Sequence, residues 1–261
     1  MKAIILAAGE GKRLKKYTQN LPKCMLNIDG KSLLERQIET LNSCAIKDIT
    51  IVKGYMGEKI TLQNVKYYTN IDYADTNMVA TLFSAEQEMN SELLVCYGDI
   101  IYEKRVLEEI ISSTSDIGIV VDTDYFEYWR ARLKEWEEDL ETLEINTRGE
   151  IVELGKPTRS LKGAAARYVG LIKFSEKGLD ILKEVFRENK ERYWHKEEKW
   201  LNSKSFKKAY MTDMLQAIID KGEEVHPIKI KRGWLEFDTE EDYEKVQKWI
   251  SEGAINKFIS L

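Results

Sequence analysis

A glycine-rich loop directly after an apolar run constrains this chain more than any other feature. Residues 2–6 have the pattern of a buried central strand, and the string LAAGEGKRL occupies positions 6–14. Small residues let backbone N–H groups approach phosphate oxygens closely. The loop therefore predicts a nucleotide phosphate site after the first strand, formed by Leu6, Ala7, Ala8, Gly9 and Gly11.

Two cations accompany the loop. The guanidinium of Arg13 can form two hydrogen bonds to a phosphate, and Lys23, after Pro22, supplies a compact positive charge. The loop lacks the Gly-Lys-Ser/Thr ending of a P-loop, and its spacing differs from a dinucleotide fingerprint, so an oxidoreductase is disfavoured. A G-x-G motif alone would be explained by a glycine-rich turn with solvent-exposed Lys and Arg side chains. The complete string from Leu6 to Leu14, followed by Pro22-Lys23, favours phosphate binding.

The order of elements predicts an α/β fold. Strand-like and helical segments alternate in the first half, which indicates a Rossmann-like, mostly parallel sheet with helices on both faces and ligands at the carboxyl ends of strands. The second half predicts a smaller mixed α+β acceptor lobe, including a hairpin (141–145 and 150–154). We expect one domain over 1–261, with a nucleotide-binding core at 1–122 and an acceptor-binding and metal-completing part at 123–261.

Local motifs predict four helices, and one charged stretch is interpreted separately. Capping boxes predict helix starts at Ser32 and Thr239, and residues 77–89 are predicted to form one helix. Thr212 is predicted to cap another helix. The Lys/Glu-rich stretch with Trp194, His195 and Trp200 is interpreted as a solvent-exposed, helix-rich segment or as a homodimer surface.

Composition excludes several classes of function. The net charge of −5 disfavours bulk nucleic-acid binding, and no apolar run approaches the roughly 20 residues that span a membrane. Three cysteines without metal-like spacing indicate a reduced, cytoplasmic setting, and two histidines exclude a histidine-rich metal site.

Three carboxylates are candidate magnesium ligands. Asp99 follows the apolar strand Leu93–Tyr97, where an isolated aspartate is more often a turn residue. Glu236 and Asp238 alternate with apolar residues and so share one face of a short strand, where they repel unless a cation or proton compensates. Mg²⁺ takes one or two carboxylates together with substrate phosphates.

The loop string and Pro22-Lys23 resemble the signature of the sugar-phosphate nucleotidyltransferase superfamily. The resemblance implies a Rossmann-like fold, a triphosphate held by the glycine-rich loop, Arg13 on the β- and γ-phosphates, and Lys23 near the reacting centre. Asp99 matches the metal aspartate of that family. Asn77, Met78 and Tyr97 join the nucleotide-binding prediction, although Asn77 or Thr76 is equally well explained as a helix cap.

Within that superfamily, residues 234–238 (WLEFD) are similar to the W-x-E-I-D segment of phosphocholine-type cytidylyltransferases. Sugar-specific relatives usually carry W-x-D-x-G-T, from which this chain departs. The subgroup also includes phosphonate and phosphoglutamine types that serve cell-surface polysaccharide or phosphonate synthesis. CTP is implied by this resemblance, since no residue is identified that reads cytosine.

Four residues are candidate acceptor contacts. Trp129 belongs to an aromatic cluster suited to caging a cation, and Arg132 beside it can clamp an anion; a core-facing stripe is the competing explanation. Lys156 follows a strand and is equally explained as a solvated turn lysine. Glu141 lies in a segment that resembles the cytidylyltransferase subgroup.

Together these features predict a Mg²⁺-dependent cytidylyltransferase that joins CTP, or another NTP, to a small phosphate- or phosphonate-bearing acceptor and releases pyrophosphate. Lys23, Arg13 and Asp99 are the predicted catalytic residues. A sugar-1-phosphate nucleotidyltransferase is the close alternative, and a non-catalytic nucleotide-binding regulatory module is the alternative of another class.

Overall fold

The computed structural model describes residues 1–261. Its strands, numbered in chain order, are β1 (Lys2–Ala7), β2 (Asn27–Ile28), β3 (Lys31–Ser32), β4 (Ile49–Lys53), β5 (Lys66–Thr69), β6 (Leu93–Tyr97), β7 (Ile100–Tyr102), β8 (Ile117–Asp122), β9 (Leu140–Ile145), β10 (Ile151–Thr158), β11 (Arg167–Phe174), β12 (His226–Ile230) and β13 (Trp234–Glu236). Its α-helices are α1 (Leu33–Ser43), α2 (Met78–Phe83), α3 (Lys104–Ser112), α4 (Phe126–Arg132), α5 (Glu176–Tyr193), α6 (Met211–Asp220) and α7 (Glu240–Ser251).

Seven strands form the central sheet in the order β12-β8-β11-β6-β1-β4-β5. All neighbouring pairs run parallel except those of β11, which is antiparallel to both β6 and β8. Three two-stranded sheets, β9–β10, β7–β13 and β2–β3, are antiparallel. The predicted α/β class, with its mostly parallel sheet and a mixed second half, is confirmed.

Apolar residues cover both faces of the sheet. Because side chains alternate along a strand, Ile5 packs into one core cluster while its neighbour Ile4 packs into the other. The first cluster contains side chains from α1, α3, α4 and α7, and the second contains side chains from α2, α5 and α6. Helices on both faces are therefore also confirmed.

Local signals set several helix ends. Ser32 and Thr239 cap their helices in complete capping boxes, as predicted. The helix predicted over 77–89 is wrong in extent. It ends at Phe83, because Ala85 leaves helical geometry (φ −112°, ψ 28°), and a 3-10 turn at 86–88 follows.

Two expectations for the second half need correction. Thr212 does not cap α6; Tyr210 is the N-cap residue, and its N–H donates to the Asp213 carboxylate (3.3 Å). Trp200 is not on a solvated surface, since it is buried against Phe206 with ring centroids 4.8 Å apart. The predicted hairpin is present as β9 and β10.

The strand order places a ligand crevice beside β1. The chain adds β4 and β5 on one side of β1 and then returns to add β6 on the other side. Ligands of open α/β sheets bind at such a reversal, outside the carboxyl ends of the strands. None of the helices is both long and apolar enough to cross a lipid bilayer.

Candidate active site

The loop after β1 depends on glycine at one position. Gly11 has φ +63°, and a Cβ there would lie 3.0 Å from the Cβ of Lys23. The Thr18 hydroxyl donates to the Gly11 carbonyl (3.1 Å) and so holds the loop. Leu6, Ala7 and Ala8 are buried beneath the loop, whereas a Cβ at Gly9 would meet nothing within 4 Å. The outer face of the loop backbone is therefore open to a ligand.

A second glycine brings Asp99 to this loop. The Gly98 N–H donates to the Leu6 carbonyl (3.0 Å), and a Cβ on Gly98 would lie only 2.5 Å from that oxygen. Only glycine permits this close approach. The turn after β6 therefore places the Asp99 carboxylate beside the end of β1.

Lys23 lies between two carboxylates at this edge. Its Nζ is 2.6 Å from Asp99 Oδ2 and 2.6 Å from Asp238 Oδ1. Burial disfavours the charged ammonium, but the two carboxylates outweigh burial and raise the pKa of Lys23 above its ordinary value. The other oxygen of Asp99, Oδ1, is buried and has no hydrogen-bond partner. The structure thus brings together three residues far apart in sequence.

Arg132 holds the acidic side chains at the end of β13 and after it. Its guanidinium lies 3.2 Å from Glu236, 3.2 Å from Asp238 and 3.0 Å from Asp242. The residue is 2% exposed. The prediction that Arg132 contacts the acceptor is therefore wrong for this conformation, because three carboxylates already occupy the guanidinium and bury it.

The pKa values of the neighbouring Glu236 and Asp238 carboxyl groups shift in opposite directions. Burial, the largest influence, together with the neighbouring Asp238 carboxylate, raises the pKa of Glu236 well above its usual range. Burial acts in the same direction on Asp238, but the Lys23 ammonium and other positive neighbours hold the pKa of Asp238 well below its usual range. The positive charges of Arg132, Lys23 and Arg13 around the two side chains provide the compensation that the sequence pattern required.

Arg13 lies at the solvent-exposed side of the cluster of Lys23, Asp99 and Asp238. Its side chain is 66% exposed, and its Nη2 lies 3.3 Å from Asp238. An exposed guanidinium tethered at one point keeps most of its donors free for another anion. The predicted phosphate contact of Arg13 is thus compatible with its position.

Trp129 is not available to an acceptor. The side chain has no exposed surface and stacks against Trp234 at a centroid distance of 6.3 Å. The predicted contact of Trp129 with an acceptor is wrong, because the indole is part of the core. The guanidiniums of Arg132 (4.5 Å) and Arg167 (4.1 Å) lie over its ring instead.

The predicted nucleotide-base side lies around the start of α2. Asn77 is the N-cap residue, but its side chain does not cap the helix and donates to the Lys208 carbonyl (3.2 Å). Met78 packs partly against the second core cluster. The Tyr97 ring meets Tyr168 edge to face at 5.7 Å. Base contacts by these residues stay predictions.

The remaining acceptor candidates differ in setting. Glu141 Oε2 lies 4.0 Å from Arg167 Nη1, and the Glu141 side chain is 40% exposed. Lys156 is exposed on β10, its N–H donates to the Thr142 hydroxyl (3.2 Å), and its ammonium makes no ion pair within the chain. Both side chains are accessible, and their contacts with an acceptor stay predictions.

Sequence reasoning missed Arg167 and Asp242. Asp242 completes the capping box of α7, and its carboxylate also holds Arg132. Arg167 is the first residue of β11. A positive charge at the start of a strand is the signal that could have identified Arg167.

Two hollows in the surface do not coincide with the charged cluster. Hollows of about 670 and 420 Å³ lie elsewhere, the first lined only by polar and charged residues of α5 and the second beside the chain end at Ile259–Leu261. The cluster at the ends of β1, β6 and β13 is distinguished instead by its concentration of buried charge.

The chain is similar to known proteins over most of its length. Residues 3–161 match the family described as the MobA-like NTP transferase domain. The CTP:phosphoglutamine cytidylyltransferase of Campylobacter jejuni is 35% identical over 257 residues, which cover 94% of this chain and 98% of that protein. The choline-phosphate cytidylyltransferase of Streptococcus pneumoniae is 35% identical over 118 residues, or 44% of this chain and 52% of that protein.

Solved structures show the same fold. The inositol-1-phosphate CTP transferase from T. maritima superposes with a TM-score of 0.70 at 19% identity, covering 100% of this chain and 98% of that one. The CTP:phosphocholine cytidylyltransferase from Streptococcus pneumoniae gives a TM-score of 0.67 at 21% identity, covering 95% and 98%. With its glycine-rich loop, fold and full-length relative, the chain belongs to the nucleotidyltransferases with a MobA-like NTP transferase domain.

Proposed function

We propose that this protein transfers CMP from CTP to a small phosphate- or phosphonate-bearing acceptor and releases pyrophosphate, with Mg²⁺ as cofactor. The single observation that carries the proposal is the Lys23 ammonium held at 2.6 Å by both Asp99 and Asp238, beside the open loop after β1. The full-length similarity to a CTP:phosphoglutamine cytidylyltransferase supports CTP as the nucleotide.

The carboxylates suit a magnesium ion that arrives with the nucleotide. No group of three or more acidic, histidine or cysteine side chains forms a preformed metal cage. Mg²⁺ usually keeps several waters and binds one or two carboxylates plus substrate phosphates, so Asp99 and Asp238 suffice. The unpartnered Asp99 Oδ1 is an available ligand oxygen. Glu236, which Arg132 already contacts, is the weaker of the three predicted ligands.

The reaction needs no protein nucleophile. An oxygen of the acceptor's phosphate or phosphonate is already anionic at neutral pH and attacks the α-phosphorus of CTP. The bond from that phosphorus to the oxygen bridging to the β-phosphate breaks, and pyrophosphate leaves with the electron pair. A chain with only two histidines, neither near the cluster, is consistent with a reaction that requires no general base.

The chain's own cations perform the positioning. A bound magnesium ion supplies charge that neutralises the α-phosphate. Asp99 and Asp238 would hold that ion, and the Lys23 ammonium beside them would contact phosphate. Arg13, exposed at the rim, holds the departing pyrophosphate. Rate acceleration then comes from orientation and electrostatic stabilisation.

The two halves of the chain have different parts in this proposal. Residues 1–122 carry the loop, Lys23 and Asp99, and residues 123–261 carry Asp238 and the candidate acceptor contacts. Neither half contains the complete cluster. We therefore propose that both act as one catalytic domain.

Pyrophosphate release tests the proposal directly. The four NTPs are crossed with phosphocholine, aminoethylphosphonate, phosphoglutamine, glycerol phosphate and sugar 1-phosphates in the presence of Mg²⁺. Release with CTP and a small non-sugar acceptor is expected. Release with a sugar 1-phosphate alone would place the protein with the sugar enzymes, and nucleotide binding without release would favour a regulatory module.

Asp99→Asn tests the metal ligand. Loss of a group that acts on the transition state should lower kcat by roughly 10²–10⁴-fold. Asp29→Asn, on an exposed aspartate 3.9 Å from Arg36, is the matched control and should leave kcat unchanged. Near-normal turnover of Asp99→Asn would show that the metal assignment is wrong.

A further inference from the structure

Two arginines contact the same indole, but they differ in the carboxylates that face them. The guanidiniums of Arg132 and Arg167 lie 4.5 and 4.1 Å from the centre of the Trp129 ring. Arg132 faces three carboxylates at 3.0–3.2 Å. The nearest carboxylates to Arg167 are Asp139 at 3.6 Å and Glu141 at 4.0 Å, which are too distant for strong hydrogen bonds.

The donors of Arg167 are therefore largely uncommitted. Its Nη1 donates to the Asp139 carbonyl (2.9 Å), whereas its Nε is buried and has no partner. Leaving a buried charged donor unpaired is costly unless something else satisfies it. The side chain is 12% exposed, so a small ligand can reach it.

Arg167 is also correctly placed to touch an acceptor. It begins β11, which runs antiparallel to β6, so it lies at the edge of the sheet where β6 ends and Asp99 follows. On the other side of β11, Arg167 lies opposite Asp122, the last residue of the antiparallel strand β8.

Resting on the proposed function, we propose that Arg167 and Glu141 form the subsite that binds the head group of the acceptor, and that this head group is zwitterionic. Arg167 takes a carboxylate in its free fork, and Glu141, 40% exposed beside it, takes an ammonium. The acceptor class is thus a phosphorylated or phosphonylated amino acid.

The same pair selects against other acceptors. A quaternary ammonium without a carboxylate would bring a second positive charge to Arg167 and offer no acceptor to its accessible donors. A sugar ring would supply no charge to either partner. Specificity arises in this way when a wrong ligand leaves buried polar groups unsatisfied.

The test uses the unaltered protein, CTP, Mg²⁺ and phosphoglutamine. Two analogues lack the α-carboxylate or the α-ammonium. With the unaltered protein, each analogue should lose about 100-fold in kcat/KM. Arg167→Met should raise KM for phosphoglutamine about 100-fold, leave KM for CTP unchanged, and show no further loss with the analogue lacking the carboxylate.

Controls separate recognition from folding. Glu141→Gln should lose discrimination only for the ammonium, and Arg167→Lys, which keeps the charge near Trp129, should recover part of the affinity. Arg159→Met, on an exposed arginine paired with Glu138, should behave like the unaltered protein. Equal losses of Arg167→Met on all acceptors would show a structural role and overturn the subsite.

The outcomes also separate the two proposals. Turnover of CTP with a preference for phosphocholine or a sugar 1-phosphate would overturn the zwitterionic subsite and leave nucleotidyl transfer standing. Absence of pyrophosphate release from CTP with every acceptor would overturn the proposed function and the subsite with it.

Discussion

Replacing Lys23 with methionine isolates the central electrostatic contact of the candidate site. The substitution keeps much of the side-chain volume and removes the charge between Asp99 and Asp238. Asp238 keeps Arg13 at 3.3 Å and Arg132 at 3.2 Å, but Asp99 loses its only ionic partner. The stability loss therefore comes mainly from one stranded carboxylate.

The structure sets the expected size of this loss. Breaking a buried ion pair costs about 3–5 kcal/mol, and the 23% exposure of the Asp99 side chain places the estimate at the lower end, about 3 kcal/mol. For a chain of this size that corresponds to a fall in melting temperature of roughly 6–12 °C. Lys12→Met removes a lysine that is 82% exposed and paired with Glu10, and this substitution should change the melting temperature little.

Magnesium provides the decisive comparison. Thermal unfolding is followed by circular dichroism in EDTA and in millimolar MgCl₂. If Asp99 and Asp238 bind the ion, Mg²⁺ should stabilise Lys23→Met much more than the unaltered protein, because no ammonium competes for the carboxylates. An unchanged melting temperature in EDTA, or equal stabilisation of both proteins by Mg²⁺, would refute this reasoning.

Three further changes test other parts of the structure. Gly11→Ala forces an alanine into φ +63° and against Lys23, so it should cost about 1–2 kcal/mol in urea unfolding and raise KM for CTP at least about tenfold in initial-rate assays. Arg132→Met exposes three carboxylates to one another and should lower the free energy of unfolding by about 3–5 kcal/mol, whereas Arg130→Met on the same helix serves as its control. Hydrogen bonds from Lys66, Lys2 and Tyr68 lower the pKa of Glu88 to about 2 from 4.5, so its stabilising contribution is present above pH 4.5 and is lost as the pH falls toward 2. Glu88→Gln should therefore cost about 1–2 kcal/mol at neutral pH in urea unfolding and lack that acid-dependent slope, and an unchanged slope would contradict the assignment.

Local sequence signals were sufficient where the cause is local. The capping boxes at Ser32 and Thr239 set helix starts, because one side chain and the backbone three residues away complete the hydrogen bonds. Alternating strand and helix patterns predicted the parallel sheet. The extent of α2 was not predictable in this way, because apolar spacing continues through Met89 although the backbone leaves the helix at Ala85.

Side-chain direction was the main source of error at the candidate site. Aromatic and basic residues around Trp129 and Arg132 have the composition of a ligand-binding cluster, yet both side chains are buried. Whether such residues face a ligand or a core depends on what packs against α4. The partners are Trp234, Glu236 and Asp242, more than 100 residues further along the chain.

The sequence by itself determined the glycine-rich loop, the class of fold and the residue types of the candidate cluster, because these follow from short motifs and from periodicity. Tertiary structure alone decided which charges meet. The placement of Lys23 between Asp99 and Asp238, the burial of Arg132 among three carboxylates and the uncommitted donors of Arg167 all depend on strands from distant parts of the chain ending at one edge of the sheet. Pairwise electrostatics is set by distance and burial, and neither is encoded in local spacing.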